Sequence, residues 1–175
     1  MARTVAAVTR PSATRRPTRR RRGATSAVLV ALVLLTAATV RATLVVPVRV
    51  AGESMAPTVP DGAVVWVWRP DDSAAELARG DLVVLRDPTG ALALKRVVGL
   101  PGEHVGVLDA VVHLDGTALL EPYAVLDGVD GLHTAPVEVP PGHVFVLGDN
   151  RGPSVDSLTY GTVAEDRLVG RVLGG

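Results

Sequence analysis

The feature that most limits what this chain can become is a charge-free stretch from Gly23 to Val40. Its eighteen residues, at ~1.5 Å of helical rise each, would reach about 27 Å, close to the hydrocarbon thickness of a bilayer. Val, Leu and Ala alone fill its centre, Ala27 to Leu35. Arg41 then interrupts, at a position from which it would snorkel to an interface, and Ala42 to Val46 resumes the apolar run. Residues 1–22 hold eight arginines, no acid and almost no large apolar side chain. Such a segment cannot offset its ordering entropy. Placed before an apolar span, it also sets the orientation, with the basic side in the cytoplasm. The reading is therefore a disordered basic cytoplasmic tail over 1–22, a single transmembrane helix over 23–46, and a body outside the cell membrane from 47 to 175. A cleaved secretory signal shares the basic start, and Thr36-Ala37-Ala38 is a weak small-residue site of that kind. Such signals carry a shorter apolar region, so an uncleaved anchor is preferred.

The zero net charge conceals an asymmetry. Beyond residue 22 there are ten basic residues against eighteen acidic ones. A basic arm that binds nucleic acid is the obvious alternative for the tail. The apolar span behind it argues for the lipid bilayer as partner and against nucleic acid. Cysteine is absent, which removes disulfides, thiol nucleophiles and thiolate metal sites.

From Pro47 onward the pattern changes to short β-branched runs. Strands are expected at Val48–Val50, Ala63–Trp68, Asp81–Leu85, Ala93–Val98, Val105–Leu108, Val111–Leu114, His143–Leu147 and Leu168–Val172. Turn signals such as Pro60-Asp61-Gly62, Asp87-Pro88-Thr89-Gly90 and Pro140-Pro141-Gly142 separate them. The expected fold class is mainly β, an antiparallel catalytic sheet behind one N-terminal helix. Asp71 to Ala78 reads as one or two helical turns on a connection, and residues 115–138 as loops or an insertion. Trp66 and Trp68 share a strand face, either to pack a core or to meet a membrane interface.

Chemistry concentrates in a few residues. Ser54 lies in Gly52-Glu53-Ser54-Met55-Ala56-Pro57-Thr58, on a turn that Pro57 keeps from pairing as strand. A serine hydroxyl needs a base to become a nucleophile. The chain has seventeen arginines, none of which can act as that base, and one lysine, Lys95. With a period of two, Lys95 shares a face with Ala93 and Val97, while Arg96 points the other way with Leu94. Burial lowers a lysine from its usual ~10.4, far enough to leave a neutral amine that accepts a proton. His104, His113, His133 and His143 offer rival bases, but none has an acidic orienter at a telling spacing, and no pair shows metal-ligand spacing. No metal or other cofactor is expected.

Four stretches occur in order: Gly52 to Thr58, Arg79-Gly80-Asp81-Leu82-Val83-Val84, Leu94-Lys95-Arg96-Val97-Val98-Gly99-Leu100-Pro101-Gly102-Glu103, and Gly148-Asp149-Asn150-Arg151-Gly152-Pro153-Ser154-Val155-Asp156-Ser157. Together they resemble the motif boxes of bacterial type I signal peptidases, the S26 serine proteases. The resemblance implies a Ser–Lys dyad, with Ser54 as nucleophile and Lys95 as general base. It implies that Ser154 orients the Lys95 amine, that Asp156 and Asp149 hold the last loop, and that Arg96 pairs with Asp149. The Ser54 backbone N–H would serve the oxyanion. Two departures stand out. Gly52 replaces a serine that some members carry, and Leu158 replaces an arginine, so that Arg151 or Arg167 becomes a candidate partner for Asp156. The short interval between the lysine box and the last box implies a reduced second subdomain over about 103–141. The implied partners are secretory preproteins with A-x-A-like cleavage sites, whose small residues would enter shallow pockets near Val48, Val50, Val64 and Leu92. Two alternatives are a self-cleaving repressor-type protease and a non-enzymatic membrane-anchored β domain of the cell envelope.

Overall fold

A computed structural model describes residues 21–69, 77–129 and 131–174. The chain divides into two compact units, 1–40 and 41–175. In the first, helix α1 (Arg21–Leu44) begins, and its side chains from Ser26 to Thr36 are all exposed. Thr36 Oγ1 bonds back to the carbonyl oxygens of Leu32 and Val33, each at 2.9 Å. Among the described residues, no helix is long and apolar enough to cross a membrane.

Among the described residues, the second unit has eleven strands. They are β1 (Val45–Arg49), β2 (Val64–Trp68), β3 (Leu82–Arg86), β4 (Leu92–Gly99), β5 (His104–Leu108), β6 (Val111–Leu114), β7 (Thr117–Ala118), β8 (Thr134–Glu138), β9 (His143–Leu147), β10 (Val163–Ala164) and β11 (Leu168–Val172). A four-residue helix α2 (Ser157–Tyr160) follows β9, and a 3-10 turn (Glu165–Arg167) precedes β11. Seven strands form one sheet in the order β1-β2-β11-β3-β4-β9-β10, and four form a second in the order β7-β6-β5-β8. Each named strand pairing is antiparallel.

Most strands fall where the β-branched runs were expected, but several boundaries and elements differ. Val45 and Val46, grouped with the apolar span in the sequence reading, pair with Trp68 and Val67 instead. Residues 115–138, read as loops, contain β7 and β8. Pro136 inside β8 and the two-residue length of β7 blurred their strand signals. The short strand β10 had no run of its own to announce it. The expected helical turns at 71–78 fall mostly outside the described residues, and Leu77 and Ala78 are not helical.

The central strands are buried on both faces, as alternation along β3 shows. Leu82 and Val84 enter one apolar cluster with Met55, Val67, Leu94 and Val172. Val83 and Leu85 enter another with Val97, Val144, Val146, Val163 and Leu168. A third cluster, of Val98, Val105, Val107, Val112, Val139, Phe145 and Leu147, joins the two sheets. Gly99 sits there because a Cβ would come within 2.4 Å of Val105 Cγ2 and 2.9 Å of Phe145 Cβ. Trp66 does not join the core: it is 55% exposed, because β2 turns its Trp66 face outward and buries Val67.

Candidate active site

Three segments converge where β4 and β9 run side by side. In β3–β4 pairing Val83 faces Lys95 and Leu82 faces Arg96. In β4–β9 pairing Arg96 faces Leu147, so one further step brings Gly148 opposite Lys95. Lys95 therefore lies on the face of Ala93 and Val97, among the side chains of the second cluster, and is buried. Burial pushes its amine below the ordinary lysine range, and the nearby Asp156 carboxylate restores only part of that.

A directed chain of hydrogen bonds leads away from the amine. Lys95 Nζ donates to Ser154 Oγ at 2.9 Å. Ser154 Oγ donates in turn to Asp156 Oδ2. Asp156 is buried and caps α2, accepting from the Leu158 N–H at 3.1 Å. It also accepts from the Gly148 N–H at 3.0 Å. Among the described residues, neither Arg151 nor Arg167 pairs with Asp156. The Asp156 carboxylate is held instead by backbone N–H groups and the Ser154 hydroxyl. Arg151 turns the other way, donating to the Gly148 carbonyl at 2.9 Å and to Glu121 Oε1 at 2.6 Å.

Ser54 reaches the site through its main chain. Met55 behind it is 1% exposed and plugs the first core cluster, which pins the turn and leaves Ser54 at the rim. The Ser54 carbonyl accepts from the Asn150 N–H at 3.0 Å, and the Glu53 carbonyl from Asn150 Nδ2 at 3.2 Å. A Cβ at Gly148 would lie 2.3 Å from Ser154 Oγ and 2.5 Å from the Ser54 carbonyl oxygen. Those two groups thus close on one point, and only glycine leaves room between them. Among the described residues, no hydrogen bond joins Ser54 Oγ to Lys95 Nζ, and the Ser54 N–H has no acceptor. Gly52 has φ +100 with nothing within 4 Å of its Cβ position. There is space for a serine side chain there, but the backbone conformation disfavours one.

The neighbouring charges are locked by buried pairing. Arg96 grips Asp149 with two bonds, Nε to Oδ1 at 2.8 Å and Nη2 to Oδ2 at 2.6 Å. Its third nitrogen donates to the Gly80 carbonyl at 2.8 Å, and its guanidinium lies 4.0 Å from the Tyr123 ring centroid. Tyr123 donates to Glu121 Oε1 at 2.9 Å, the same atom that Arg151 reaches. Arg79 meanwhile pairs with Glu103, so the second and third motif stretches clasp each other. Sequence reasoning missed Tyr123 and Glu121, which lie in a segment without pattern. Their one signal was an aromatic and an acid in a chain poor in aromatics. Of the loosely assigned pocket residues, Val50 is a core residue beside Met55, whereas Val64 and Leu92 are exposed. Among the described residues, no group of His, Asp and Glu is arranged to hold a metal.

Comparison with known proteins shows the family. The family model for signal peptidase, peptidase S26, matches residues 23–173. Signal peptidase I T of Bacillus subtilis (strain 168) is 36% identical over 151 residues, spanning 81% of this chain and 78% of that protein. Signal peptidase IB of Staphylococcus aureus (strain COL) is 32% identical over 145 residues, 74% of this chain and 76% of that one. A crystal structure of a signal peptidase I from Enterococcus faecalis V583 is 32% identical, with a TM-score of 0.48 over 58% of this chain and 99% of that one. A match that begins at the foot of α1 and ends past β11, with relatives similar over most of their own length, makes this chain a member of the S26 family of signal peptidases.

Proposed function

We propose that this serine endopeptidase, which cleaves signal peptides, works through Ser54 as nucleophile and Lys95 as general base. The observation that carries this reading is the one-way hydrogen-bond chain from Lys95 through Ser154 to Asp156. The single proton of Ser154 is committed to Asp156, so its oxygen faces Lys95 as an acceptor. A neutral Lys95 amine then spends one N–H on Ser154 and keeps its lone pair for another proton. The Ser54 main chain lies across Gly148 from Ser154, and the Ser54 hydroxyl is the alcohol we assign to supply it.

The reaction balances as follows. Ser54 Oγ bonds to the scissile carbonyl carbon while its proton passes to Lys95 Nζ. The carbonyl oxygen takes up negative charge facing the unpartnered Ser54 N–H. The Lys95 ammonium gives its proton to the departing amide nitrogen, the C–N bond breaks, and an ester remains on Ser54. Water then loses a proton to Lys95 and attacks that ester. The proton returns to Ser54 as the signal peptide leaves with a new carboxylate. Asp149, held by Arg96, fixes the loop that carries Asn150 and with it the Ser54 main chain.

Secretory preproteins with small residues before the cleavage site are the substrates, presented as an extended strand. The apolar span of the sequence anchors the enzyme in the cell membrane with its N-terminus cytoplasmic and its catalytic unit outside. Exposed Trp66, beside Val64 and Leu173, gives β2 an apolar surface suited to the lipid interface. Cleavage of a purified preprotein in liposomes tests the reading. Wild type should process it, and Ser54→Ala, Lys95→Ala and Lys95→Arg should each lose processing while still unfolding in one cooperative thermal transition. Near-normal turnover by Lys95→Arg would remove Lys95 as the base.

A further inference from the structure

Two peptide planes flank the Cα of Ser54, and one residue of the loop after β9 holds both. In the plane before it, the Glu53 carbonyl accepts from Asn150 Nδ2 at 3.2 Å. In the plane after it, the Ser54 carbonyl accepts from the Asn150 N–H at 3.0 Å. A trans peptide unit is rigid, and its carbonyl and N–H point opposite ways. A donor on the Glu53 oxygen therefore fixes the direction of the Ser54 N–H, which has no acceptor among the described residues. A donor on the Ser54 oxygen fixes the second plane. With both planes set, the two soft dihedrals of Ser54 are set, and with them the direction of its Cα–Cβ bond. The other bond to the Glu53 oxygen, from the Ala56 N–H at 3.0 Å, is internal to the turn and moves with it. Gly52 N–H donates to Asp61 Oδ1 at 2.8 Å, but that bond holds the plane ahead of these two.

Asn150 is itself held from its other side. The Val125 N–H donates to the Asp149 carbonyl at 2.8 Å, and the Arg151 N–H donates to the Val125 carbonyl at 3.0 Å. Val125 and Asn150 thus form a parallel bridge. Successive groups of an extended backbone point to alternate sides, so with its neighbours bonded toward Val125 the Asn150 N–H points away, to the Ser54 turn. The loop on which Asn150 sits is also tied to the lysine strand. Asp149 is gripped by Arg96, and the Gly148 N–H donates to Asp156 at 3.0 Å.

We propose that Asn150 is a positioning residue for the cleavage reaction, which aims the Ser54 N–H at the developing oxyanion and holds the Ser54 side chain in line with the base. This inference rests on Ser54 as nucleophile. A donor stabilises an oxyanion only where the charge develops, and a misplacement of about 1 Å can cost about a hundredfold in rate.

Cleavage of a signal-sequence peptide by the full chain in detergent tests this. Asn150→Ala keeps the main-chain bond and loses the side-chain one, so kcat should fall about tenfold to a hundredfold with KM within about twofold of wild type. Asn150→Asp keeps the outline of the side chain but sets a carboxylate oxygen against the Glu53 carbonyl, and should fall further. A peptide aldehyde, which forms a tetrahedral hemiacetal with Ser54, should bind each variant more weakly by the factor lost from kcat/KM, whereas the cleaved signal peptide should bind variants and wild type alike. A purely structural role would lower the amount of folded enzyme and leave the aldehyde affinity of the remainder unchanged. The rising limb of the pH profile should keep its wild-type midpoint, because Asn150 bonds to neither Lys95 nor Ser154. If Asn150→Ala does not fold, Asn150→Asp decides by the same readings. Wild-type kcat and aldehyde affinity in the variants, or a shifted pH midpoint, overturns the proposal and leaves Ser54 as nucleophile. Turnover by Ser54→Ala overturns that reading and the proposal with it.

Discussion

Lys95 is buried with its amine held below the ordinary lysine range, and two consequences follow at the scale of that single residue. The first is kinetic. Below the lowered value the amine carries a proton and cannot act as base, so turnover should rise with pH as Lys95 deprotonates. That rise should persist in His143→Ala, measured as a pH profile of kcat/KM. The second is thermodynamic. The unfolded chain binds the proton more tightly than the folded one, so Lys95 costs stability below its folded value, and the cost disappears as pH rises past the unfolded value near ~10.4. Lys95→Met should therefore be more stable than wild type at neutral pH, and the difference should shrink on approach to that pH in denaturant titrations. Gly52→Ser makes a contrasting case. Its side chain has room, but φ +100 should cost about 1–2 kcal/mol of unfolding free energy.

Among the elements, the loop after β9 depends most on a single pair. Asp149 is fully buried and Arg96 nearly so, and Tyr123 covers the guanidinium. Removing one partner leaves a buried charge alone. Asp149→Ala should thus lose about 3–5 kcal/mol in chemical denaturation. Asp81→Ala, which breaks the more exposed 3.4 Å contact to Arg171, should lose no more than about 1 kcal/mol from that ion pair. Elements of this kind differed in how far they could be read from the chain. β3, β4, β9 and β11 were legible because each is a β-branched run bounded by Gly, Pro or Asp. β7, β8 and β10 were not, because two-residue strands and a proline-bearing one carry almost no period. Lys95 and Ser54 stood out as rare chemistry in a repetitive composition. The Glu121–Tyr123 clamp did not, since it is a long-range bridge between Val125 and Asn150 that brings this segment back to Arg96 and Arg151.

For the whole molecule, the division at residue 40 predicts that the catalytic unit keeps its own thermal transition when residues 1–40 are deleted. Such a truncated enzyme should still cut a short peptide and should process liposome-bound preprotein more slowly, because the anchor proposed above would no longer confine it to the bilayer surface. Removal of residues 168–175 should do far more harm. Among the described strands β11 comes last in sequence, yet it lies between β2 and β3 and joins the half of the sheet that leads to Ser54 to the half that carries Lys95. Until that strand arrives, the two halves share no edge. Cutting should thus hang on a strand that carries neither reacting side chain: with β11 out of place, nothing would keep the Ser54 half and the Lys95 half in register, and both residues could be intact in a protease that does not cut.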